Sequence, residues 1–254
     1  MKEQFVLRDS RLQSSQDDEH TRRLEEFYPR SIGSHVDKLR NFTKFVPRAS
    51  IAEFLAKHEI FRRALGIQGH IIECGVFLGG GLMTWAQLSA IYEPANHYRR
   101  VVGFDTFAGV PQKGEQDETA DPNEHSRVGG FKCESYEDLL ECEALYDLTR
   151  AIGHIPRIEL VKGDACETME AYRKKHKHLV VALLYLDFDL YEATKKALEV
   201  FLPRMPKGAV IGFNELDNES WPGVSEAIEE VVGFQTLRIE RAPFASHPSW
   251  AVLE

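Results

Sequence analysis

The chain has 254 residues, of which 43% are hydrophobic and 28% are charged. This composition is typical of globular proteins and excludes a collagen-like, coiled-coil or wholly disordered chain. The formal net charge of −9 argues against a general nucleic-acid-binding protein, because phosphate contacts require an excess of Lys and Arg. The charge is unevenly distributed: residues 21–63 carry ten bases and five acids, and residues 111–150 carry four bases and eleven acids.

The N-terminus and the cysteines favour a cytoplasmic location. Residues 1–5 lack the apolar core of a secretory signal. No apolar run reaches the roughly 18–20 residues of a membrane helix, so we expect no membrane partner. The four cysteines are not spaced as the CxxC pairs of a zinc site, and we expect free thiols rather than a Cys133–Cys142 bridge. These cysteines are Cys74, Cys133, Cys142 and Cys166.

The elements predicted along the chain alternate between strands and helices. Residues 1–30 are a polar arm, either ordered or disordered. The first firm helix is predicted to begin at Ser50, because Ser50 and Glu53 match a capping box. The following elements are strand 70–74, a helix through residues 85–91, strand 101–105, helix 136–148, strand 157–161, helix 165–175, strand 179–186, helix 190–202, strand 209–213, helix 224–232 and strands 235–241 and 249–253.

This alternation predicts an α/β fold with a mostly parallel sheet and helices on both faces. The last two strands depart from the alternation and predict an antiparallel edge. We divide the chain into an N-terminal helical extension at residues 1–49 and one domain at residues 50–254. Within the domain, residues 111–150 interrupt the alternation and are interpreted as an insertion that forms a lid over the active site. A polar arm before a basic helical region favours a homo-oligomer.

A glycine-rich segment, residues 73–81, connects the first strand to its helix. Glycines allow a ligand to approach the backbone, and a helix start offers unpaired N–H groups. The spacing is not the G-x-G-x-x-G of dinucleotide-binding proteins, which makes pyrophosphate a less suitable ligand. Asp105, at the end of the second strand, is suited to accept hydrogen bonds from a ribose diol, and Asp164 lies where an adenine amino group could be bound. The competing interpretations are that the glycines serve packing alone and that Asp105 caps a turn.

Acidic and amide side chains follow two later strands. Asp187 and Asp189 end one strand, and Asn214 and Glu215 end the next. Oxygen ligands from neighbouring strands suit Mg²⁺, and a metal can lower the pKa of a bound hydroxyl. A nearby carboxylate can then accept the hydroxyl proton. A competing interpretation is that Asp189, with Glu192 three residues later, caps the following helix.

Three segments resemble the macrocin O-methyltransferase family: residues 70–81, 103–111 and 186–194. The resemblance extends from about residue 45 to residue 232. It implies a Rossmann-like methyltransferase fold with a seven-stranded sheet. It also implies an S-adenosylmethionine-dependent enzyme that methylates a hydroxyl of a deoxysugar in natural-product biosynthesis.

The resemblance further implies a role for individual residues. Asp189 would be the general base, and Asp187, Asn214 and Glu215 would bind Mg²⁺. The family usually has two adjacent aspartates at positions 214–215, so the neutral asparagine predicts weaker metal affinity. The residues implied to bind S-adenosylmethionine are Glu73, Gly75, Val76, Phe77, Gly79, Gly80, Asp105, Thr106, Asp164 and Asp187.

The predicted partner is a small deoxysugar, either nucleotide-linked, such as TDP-rhamnose at its 3′-hydroxyl, or already glycosidic. His125 in the insertion and Trp221 after the acidic strand ends are candidates to contact it. The competing interpretations are an exposed loop histidine and an ordinary helix start. Rival functions are methylation of a catechol-like diol, a nicotinamide-dependent oxidoreductase, and non-catalytic binding of the cofactor or of a sugar nucleotide.

Overall fold

The computed structural model describes residues 14–120, 122 and 125–254. Two compact units are present, and the boundary between them follows Ala52. The first unit contains α1 (Ser15–Arg30) and α2 (His35–Arg40), and each of these helices starts at a serine–aspartate capping box. Such a box satisfies backbone N–H groups that the first helical turn leaves unpaired.

The second unit is an α/β domain. Helix α3 (Arg48–Ala64) crosses the boundary between the units. The remaining elements are β1 (His70–Cys74), α4 (Gly80–Tyr92), β2 (Val101–Asp105), α5 (Tyr136–Asp147), β3 (Ile158–Lys162), α6 (Ala165–Lys175), β4 (Val181–Leu186), α7 (Tyr191–Phe201), β5 (Val210–Phe213), α8 (Pro222–Val231), β6 (Ile239–Arg241) and β7 (Ser249–Val252).

The seven strands form one sheet in the order β3-β2-β1-β4-β5-β7-β6. All pairs from β3 to β5 are parallel, and β7 is antiparallel to both β5 and β6. The predicted fold class is therefore confirmed. The antiparallel strand is β7, which lies between β5 and β6, so β6 forms the edge of the sheet.

Apolar side chains cover both faces of the sheet. Ile71 and Ile72 are adjacent in β1 and belong to different hydrophobic clusters, as the alternation of side chains along a strand requires. One cluster includes apolar residues of α6, α7 and α8, and the other includes residues of α3, α4 and α5. Helices on both faces thus hold the strand ends in fixed positions.

The capping box predicted at Ser50 is wrong. Helix α3 already begins at Arg48, and the Ile51 N–H donates to the carbonyl of Pro47. Proline has a fixed φ that suits a helix start, so the helix forms ahead of the serine. The other predicted elements are present, and their ends coincide with the predicted ones or differ by at most five residues.

Two further features concern the whole described chain. Cys74, Cys133, Cys142 and Cys166 are free thiols. Over residues 14–120, 122 and 125–254, the helices are too short or too polar to cross a membrane.

Candidate active site

The carboxyl ends of β1, β2, β4 and β5 bring most of the predicted site residues to one edge of the sheet. Cys74 at the end of β1 pairs with Phe104 on one side and with Leu186 on the other, and Leu186 pairs with Phe213. The residues that follow these positions therefore emerge together. This edge is where parallel α/β sheets bind their ligands.

The glycine loop packs tightly against its surroundings at two positions. Gly75 has a φ of +99°, and a Cβ there would lie 2.0 Å from the carbonyl oxygen of Asp187. Gly79 has a φ of +83°, and its Cβ would lie 2.2 Å from the side chain of Leu139. Around Gly80 the space is open. Packing thus explains two of the glycines, and Gly80 leaves room at the start of α4.

Asp105 organises the glycine loop. Its Oδ2 accepts hydrogen bonds from the N–H groups of Val76 and Phe77, both at 2.8 Å, and its Oδ1 accepts from the Phe107 N–H at 2.7 Å. The turn-capping interpretation of Asp105 is therefore correct. The Thr106 hydroxyl closes the same turn, because it accepts from the N–H two residues later and donates to the carbonyl three residues later. The partly exposed carboxylate keeps further lone pairs for hydroxyl donors.

Glu73 is a buried carboxyl group beside the loop. It is 1% exposed, and its Oε2 has no hydrogen-bond partner within the part of the chain that the structure describes. Gly81 leaves room for it, because a Cβ there would lie 2.0 Å from Glu73 Oε1. Burial raises the pKa of Glu73 well above its ordinary value, although Lys57 opposes this effect. Such a group gains most from a cationic ligand.

Lys57 provides the positive charge beneath this edge. The side chain is 4% exposed, and its Nζ lies 2.6 Å from Oε1 of Glu53 and 4.9 Å from the centre of the Tyr185 ring. Burial alone lowers the pKa of Lys57, but Tyr185, Glu53, Asp187 and Glu73 raise it above its ordinary value. Lys57 was not predicted as a site residue. Its spacing of four from Glu53 on one helix was the only sequence signal.

Asp187 and Asp189 lie at the end of β4 in an acidic cluster with Glu215. Burial and the charge of Glu215, against the opposing charge of Lys57, together raise the pKa of Asp187 to about 7. Burial, followed by the charges of Glu215 and Asp187, raises the pKa of Asp189 well above its ordinary value. Oδ1 of Asp189 is buried and has no hydrogen-bond partner among the described residues. The structure thus brings the predicted base next to the predicted metal ligands.

Asn214 and Glu215 are engaged by other side chains. The Tyr185 hydroxyl donates to Asn214 Oδ1 at 2.8 Å, and Asn214 Nδ2 donates to Glu215 Oε1 at 3.0 Å. Asn218 donates to the second oxygen of Glu215, from which His247 Nδ1 lies 3.7 Å away. A hydrogen bond from the Asn214 side chain also lowers the pKa of Asp187.

These hydrogen bonds compete with the predicted Mg²⁺ site. No group of three His, Cys, Asp or Glu side chains is placed to hold a metal ion, as far as the described residues extend. The donor atoms are oxygens of the kind Mg²⁺ prefers. Asn214 and Glu215, however, would have to exchange their present hydrogen bonds. Binding of Mg²⁺ would therefore require these two side chains to rearrange.

Asp189 does not cap the helix that follows it. Its φ is +63°, in the left-handed region, and Leu190, the N-cap residue of α7, makes no side-chain cap hydrogen bond. The N–H of Tyr191 instead donates to Oδ1 of Asp117 at 2.8 Å. The capping interpretation of Asp189 and Glu192 is therefore wrong, because a residue of the insertion takes that role.

Asp164 lies at the neighbouring strand end. It is the N-cap of α6, and its Oδ1 accepts from the Cys166 N–H at 2.8 Å. The preceding Gly163 N–H donates to the Asp105 carbonyl at 3.0 Å, which places Asp164 next to the turn formed by Asp105. Its side chain is exposed and accessible to a ligand at this edge.

The insertion contacts the glycine loop through aromatic rings. The rings of His125 and Phe131 are stacked with centroids 4.6 Å apart, and Phe131 lies 5.6 Å from Phe77. Trp221 stacks on the same Phe131 ring at 6.1 Å but is only 3% exposed. Ser135 also donates to the Phe77 carbonyl. Trp221 is therefore part of the core beneath the insertion, and His125 and Phe131 lie above it.

The chain is similar to known O-methyltransferases. Residues 47–242 match the family model described as macrocin-O-methyltransferase (TylF). A curated relative from Streptomyces olivaceus, 8-demethyl-8-(2,3-dimethoxy-alpha-L-rhamnosyl)-tetracenomycin-C 4'-O-methyltransferase, is 28% identical over 173 residues. The match spans 66% of this chain and 59% of that relative.

Solved structures are similar over most of the chain. A crystal structure of CalS11, a calicheamicin methyltransferase, is 32% identical with a TM-score of 0.90, and the match covers 98% of both chains. The apo structure of CalS11, described as a TDP-rhamnose 3'-O-methyltransferase, gives 32% identity and a TM-score of 0.81 over 96% of this chain and 99% of the other. The O-methyltransferase NovP shares the fold at 20% identity, with a TM-score of 0.62 over 80% of each chain.

Proposed function

Because the chain belongs to the macrocin-O-methyltransferase family, we propose that it transfers the methyl group of S-adenosylmethionine to a hydroxyl of a deoxysugar in natural-product biosynthesis. The observation that carries this proposal is the strand-end site. It combines an ordered glycine loop with the buried Glu73 and the half-buried Asp189, each of which has a buried carboxyl oxygen without a partner in the described chain.

The first half of the site suits the cofactor. The unpartnered Oε2 of Glu73 would accept a hydrogen bond from the cofactor's ammonium group, whose charge would offset the burial of the carboxylate. Asp105 fixes the backbone of Val76 and Phe77, and its remaining lone pairs would accept from the ribose. Open space at Gly80 would admit the methionine end, and Asp164 would meet the adenine amino group. The other residues proposed for the cofactor half of the site are Gly75, Gly79, Thr106 and Asp187.

The second half of the site suits the acceptor hydroxyl. When bound, S-adenosylmethionine supplies an electrophilic methyl group on a sulfonium. Asp189 would orient the sugar hydroxyl in line with that methyl and accept its proton as the new O–C bond forms and the S–C bond breaks. Its unpartnered Oδ1 is available to the hydroxyl, and its raised pKa makes it a stronger proton acceptor than an ordinary aspartate.

We propose a rhamnose-type deoxysugar as the acceptor. CalS11 is described as acting on TDP-rhamnose at the 3′-hydroxyl, and the Streptomyces olivaceus relative is described as acting on a rhamnosyl group already attached to tetracenomycin. TDP-rhamnose is the better candidate, because CalS11 matches this chain over 98% of its length. His125 and Phe131 of the insertion would contact the sugar or its carrier.

A divalent cation such as Mg²⁺ is a separate part of the proposal. Glu215 raises the pKa of Asp187 and of Asp189, and Asp187 also raises that of Asp189, so this acidic cluster favours a bound cation. Asp187, Asn214 and Glu215 would hold it after the hydrogen bonds of Asn214 are exchanged. Titration of the cofactor-free enzyme with Mg²⁺ by calorimetry tests this directly, and absence of heat at millimolar concentration would contradict it.

The location and the assembly state form a further part of the proposal. Four free thiols suit the reducing cytoplasm. Large apolar side chains of the N-terminal unit are exposed, among them Ile32 at 89% and Leu39 at 68%, which favours self-association. We propose a cytoplasmic homo-oligomer.

A mass-spectrometric screen tests the proposed reaction. The purified enzyme is incubated with S-adenosylmethionine and one of three acceptors: free rhamnose, TDP-rhamnose or a rhamnosylated aglycone. We expect a mass gain of one methylene unit on TDP-rhamnose and formation of S-adenosylhomocysteine. A gain on the rhamnosylated aglycone alone would replace the nucleotide-linked acceptor, and no gain on any of the three would contradict the proposed function.

A further inference from the structure

Asp117 is a buried acid of the insertion that has no part in the reaction proposed above. It ends a short 3-10 turn, Glu115–Asp117, and is 2% exposed. Its Oδ2 accepts from the Gly114 N–H at 2.9 Å, which holds its own turn together. Its Oδ1 accepts from the Tyr191 N–H at 2.8 Å, across 74 positions in the chain.

The hydrogen bond from the Tyr191 N–H to Asp117 caps α7, which the residues next to the helix do not do. The first N–H groups of a helix lack partners within the helix and attract negative charge. Leu190, the N-cap of α7, has no polar side chain. Asp117 therefore supplies to α7, from a distant part of the chain, the acceptor that an Asp, Ser or Asn at the N-cap normally supplies.

The neighbouring helix is shaped to admit this carboxylate. A Cβ at Gly223, the second residue of α8, would lie 2.1 Å from Asp117 Oδ1 and 2.9 Å from the backbone nitrogen of Tyr191. A second hydrogen bond joins the same segments, from the Thr119 hydroxyl to the Glu219 carbonyl at 2.7 Å. The insertion, α7 and α8 thus meet at one carboxylate.

The position of this junction relates it to the proposed base. Tyr191 is two residues after Asp189, whose φ of +63° is a conformation that must be held by its surroundings. We propose that Asp117 is a positioning residue, through which the insertion fixes the backbone of Asp189 by capping α7. This inference rests on the proposed function, because it takes Asp189 to be the base.

Three variants test the proposal. Asp117→Ala removes the cap, Asp117→Asn keeps an oxygen for the Tyr191 N–H, and Glu118→Ala removes an equal charge from the adjacent, exposed position. With TDP-rhamnose as acceptor, we expect kcat of Asp117→Ala to fall by about 10- to 100-fold, because small displacements of a reacting group have effects of that size. The KM for S-adenosylmethionine should change less than about threefold. Asp117→Asn should recover most of kcat, and Glu118→Ala should match the unmodified enzyme.

A double-variant comparison separates positioning from general damage. If Asp117 acts through Asp189, then adding Asp117→Ala to Asp189→Asn should leave the residual turnover nearly unchanged, as measured with a radiolabelled methyl donor. The same fold loss in both backgrounds would overturn the proposal. An unchanged kcat in Asp117→Ala would also overturn it.

Hydrogen exchange decides the point independently of the acceptor. The Tyr191 amide and residues 187–190 should exchange faster in Asp117→Ala than in Glu118→Ala, and an equal rate would overturn the positioning role. If Asp117→Ala does not fold, Asp117→Asn carries both measurements, with an expected loss of kcat smaller than about 10-fold and Tyr191 exchange close to the unmodified rate. Full activity of Asp189→Asn would instead refute the proposed base, while the exchange result would still report on the cap.

Discussion

Asp187 and Asp189 determine how the charge of the candidate site changes with pH. Burial is the largest cause of their raised pKa, and it brings the pKa of Asp187 to about 7. Both side chains would act as carboxylates in the proposed reaction. With a pKa of about 7, Asp187 loses its carboxylate form as the pH falls through neutrality.

We therefore expect kcat/KM to decline on the acid side of neutrality, by about tenfold per pH unit for one essential group. A pH–rate profile with saturating cofactor and limiting TDP-rhamnose measures this decline. A flat profile between about pH 5 and pH 8 would contradict the assignment of a raised pKa to the essential carboxylates.

The base itself is tested by Asp189→Asn, which keeps the size of the side chain but removes its capacity to accept a proton. We expect kcat to fall by about 100-fold or more. The affinity for S-adenosylmethionine, measured by calorimetry, should stay nearly intact, because Glu73 and Asp105 are unchanged. Retention of full activity would show that another group accepts the proton.

Asp187 should also reduce the stability of the folded chain at neutral pH. A carboxyl group with a pKa near 7 when folded and about 3.9 when unfolded holds its proton more tightly in the folded state. Its contribution to stability is complete below the unfolded pKa and is lost as the pH rises toward the folded one.

Asp187→Asn removes this dependence. In the presence of chelator, the variant should gain stability relative to the unmodified protein between about pH 4 and pH 7, by about 1–3 kcal/mol in the free energy of unfolding. Urea unfolding at several pH values measures the difference. The control Glu226→Gln removes an equal charge from an exposed position of α8. A gain that does not grow with pH would contradict the prediction.

At the scale of elements, the local pattern of the sequence was sufficient to locate strands β1 to β3. Apolar runs placed β1 and β2 correctly and β3 to within one residue, because buried parallel strands are short and continuous in hydrophobicity. The start of α3 was missed because Pro47 determines it rather than Ser50. The cap of α7 was missed because its acceptor lies 74 positions away, beyond the reach of any local motif.

The loop between β1 and α4 allows a matched pair of glycine variants. Gly75→Ala places a methyl group 2.0 Å from a backbone oxygen in a left-handed conformation, so we expect it to destabilise the fold by more than about 1 kcal/mol and to weaken cofactor binding. Gly80→Ala meets open space at the first position of a helix and should leave the melting temperature equal or higher. Thermal unfolding compares the two, and equal effects would contradict the packing role of Gly75.

At the scale of the whole molecule, the resemblance of three short segments identified both family and fold. The family match over residues 47–242 and the seven-stranded sheet confirm these expectations, and with them the methyltransferase class. The site was predictable where residues follow strand ends, as Asp105 and Asp187 do. Lys57 was missed because its relevance arises from burial beside Tyr185, which depends on the packing of α3 rather than on a motif.

The assembly state is a property of the whole molecule. We expect the protein in solution to have a molar mass of at least twice the 29.0 kDa of one chain. The double substitution Ile32→Ser and Leu39→Ser should lower it, because exposed apolar side chains would be lost. Val128→Ser, at an exposed position of the second unit, is the control. Light scattering after gel filtration measures the mass, and a monomer for the unmodified protein would contradict self-association.

The close approach of Gly75 to Asp187 has a thermodynamic consequence. The backbone that would receive the cofactor and the backbone that carries the acidic cluster are in direct contact, and the N–H of Asp187 donates to the Cys74 carbonyl at 2.7 Å. A displacement of one of these two backbone segments must therefore displace the other. Cofactor occupancy should change the affinity of the acidic cluster for its ligand, and that ligand should change cofactor affinity by the same factor.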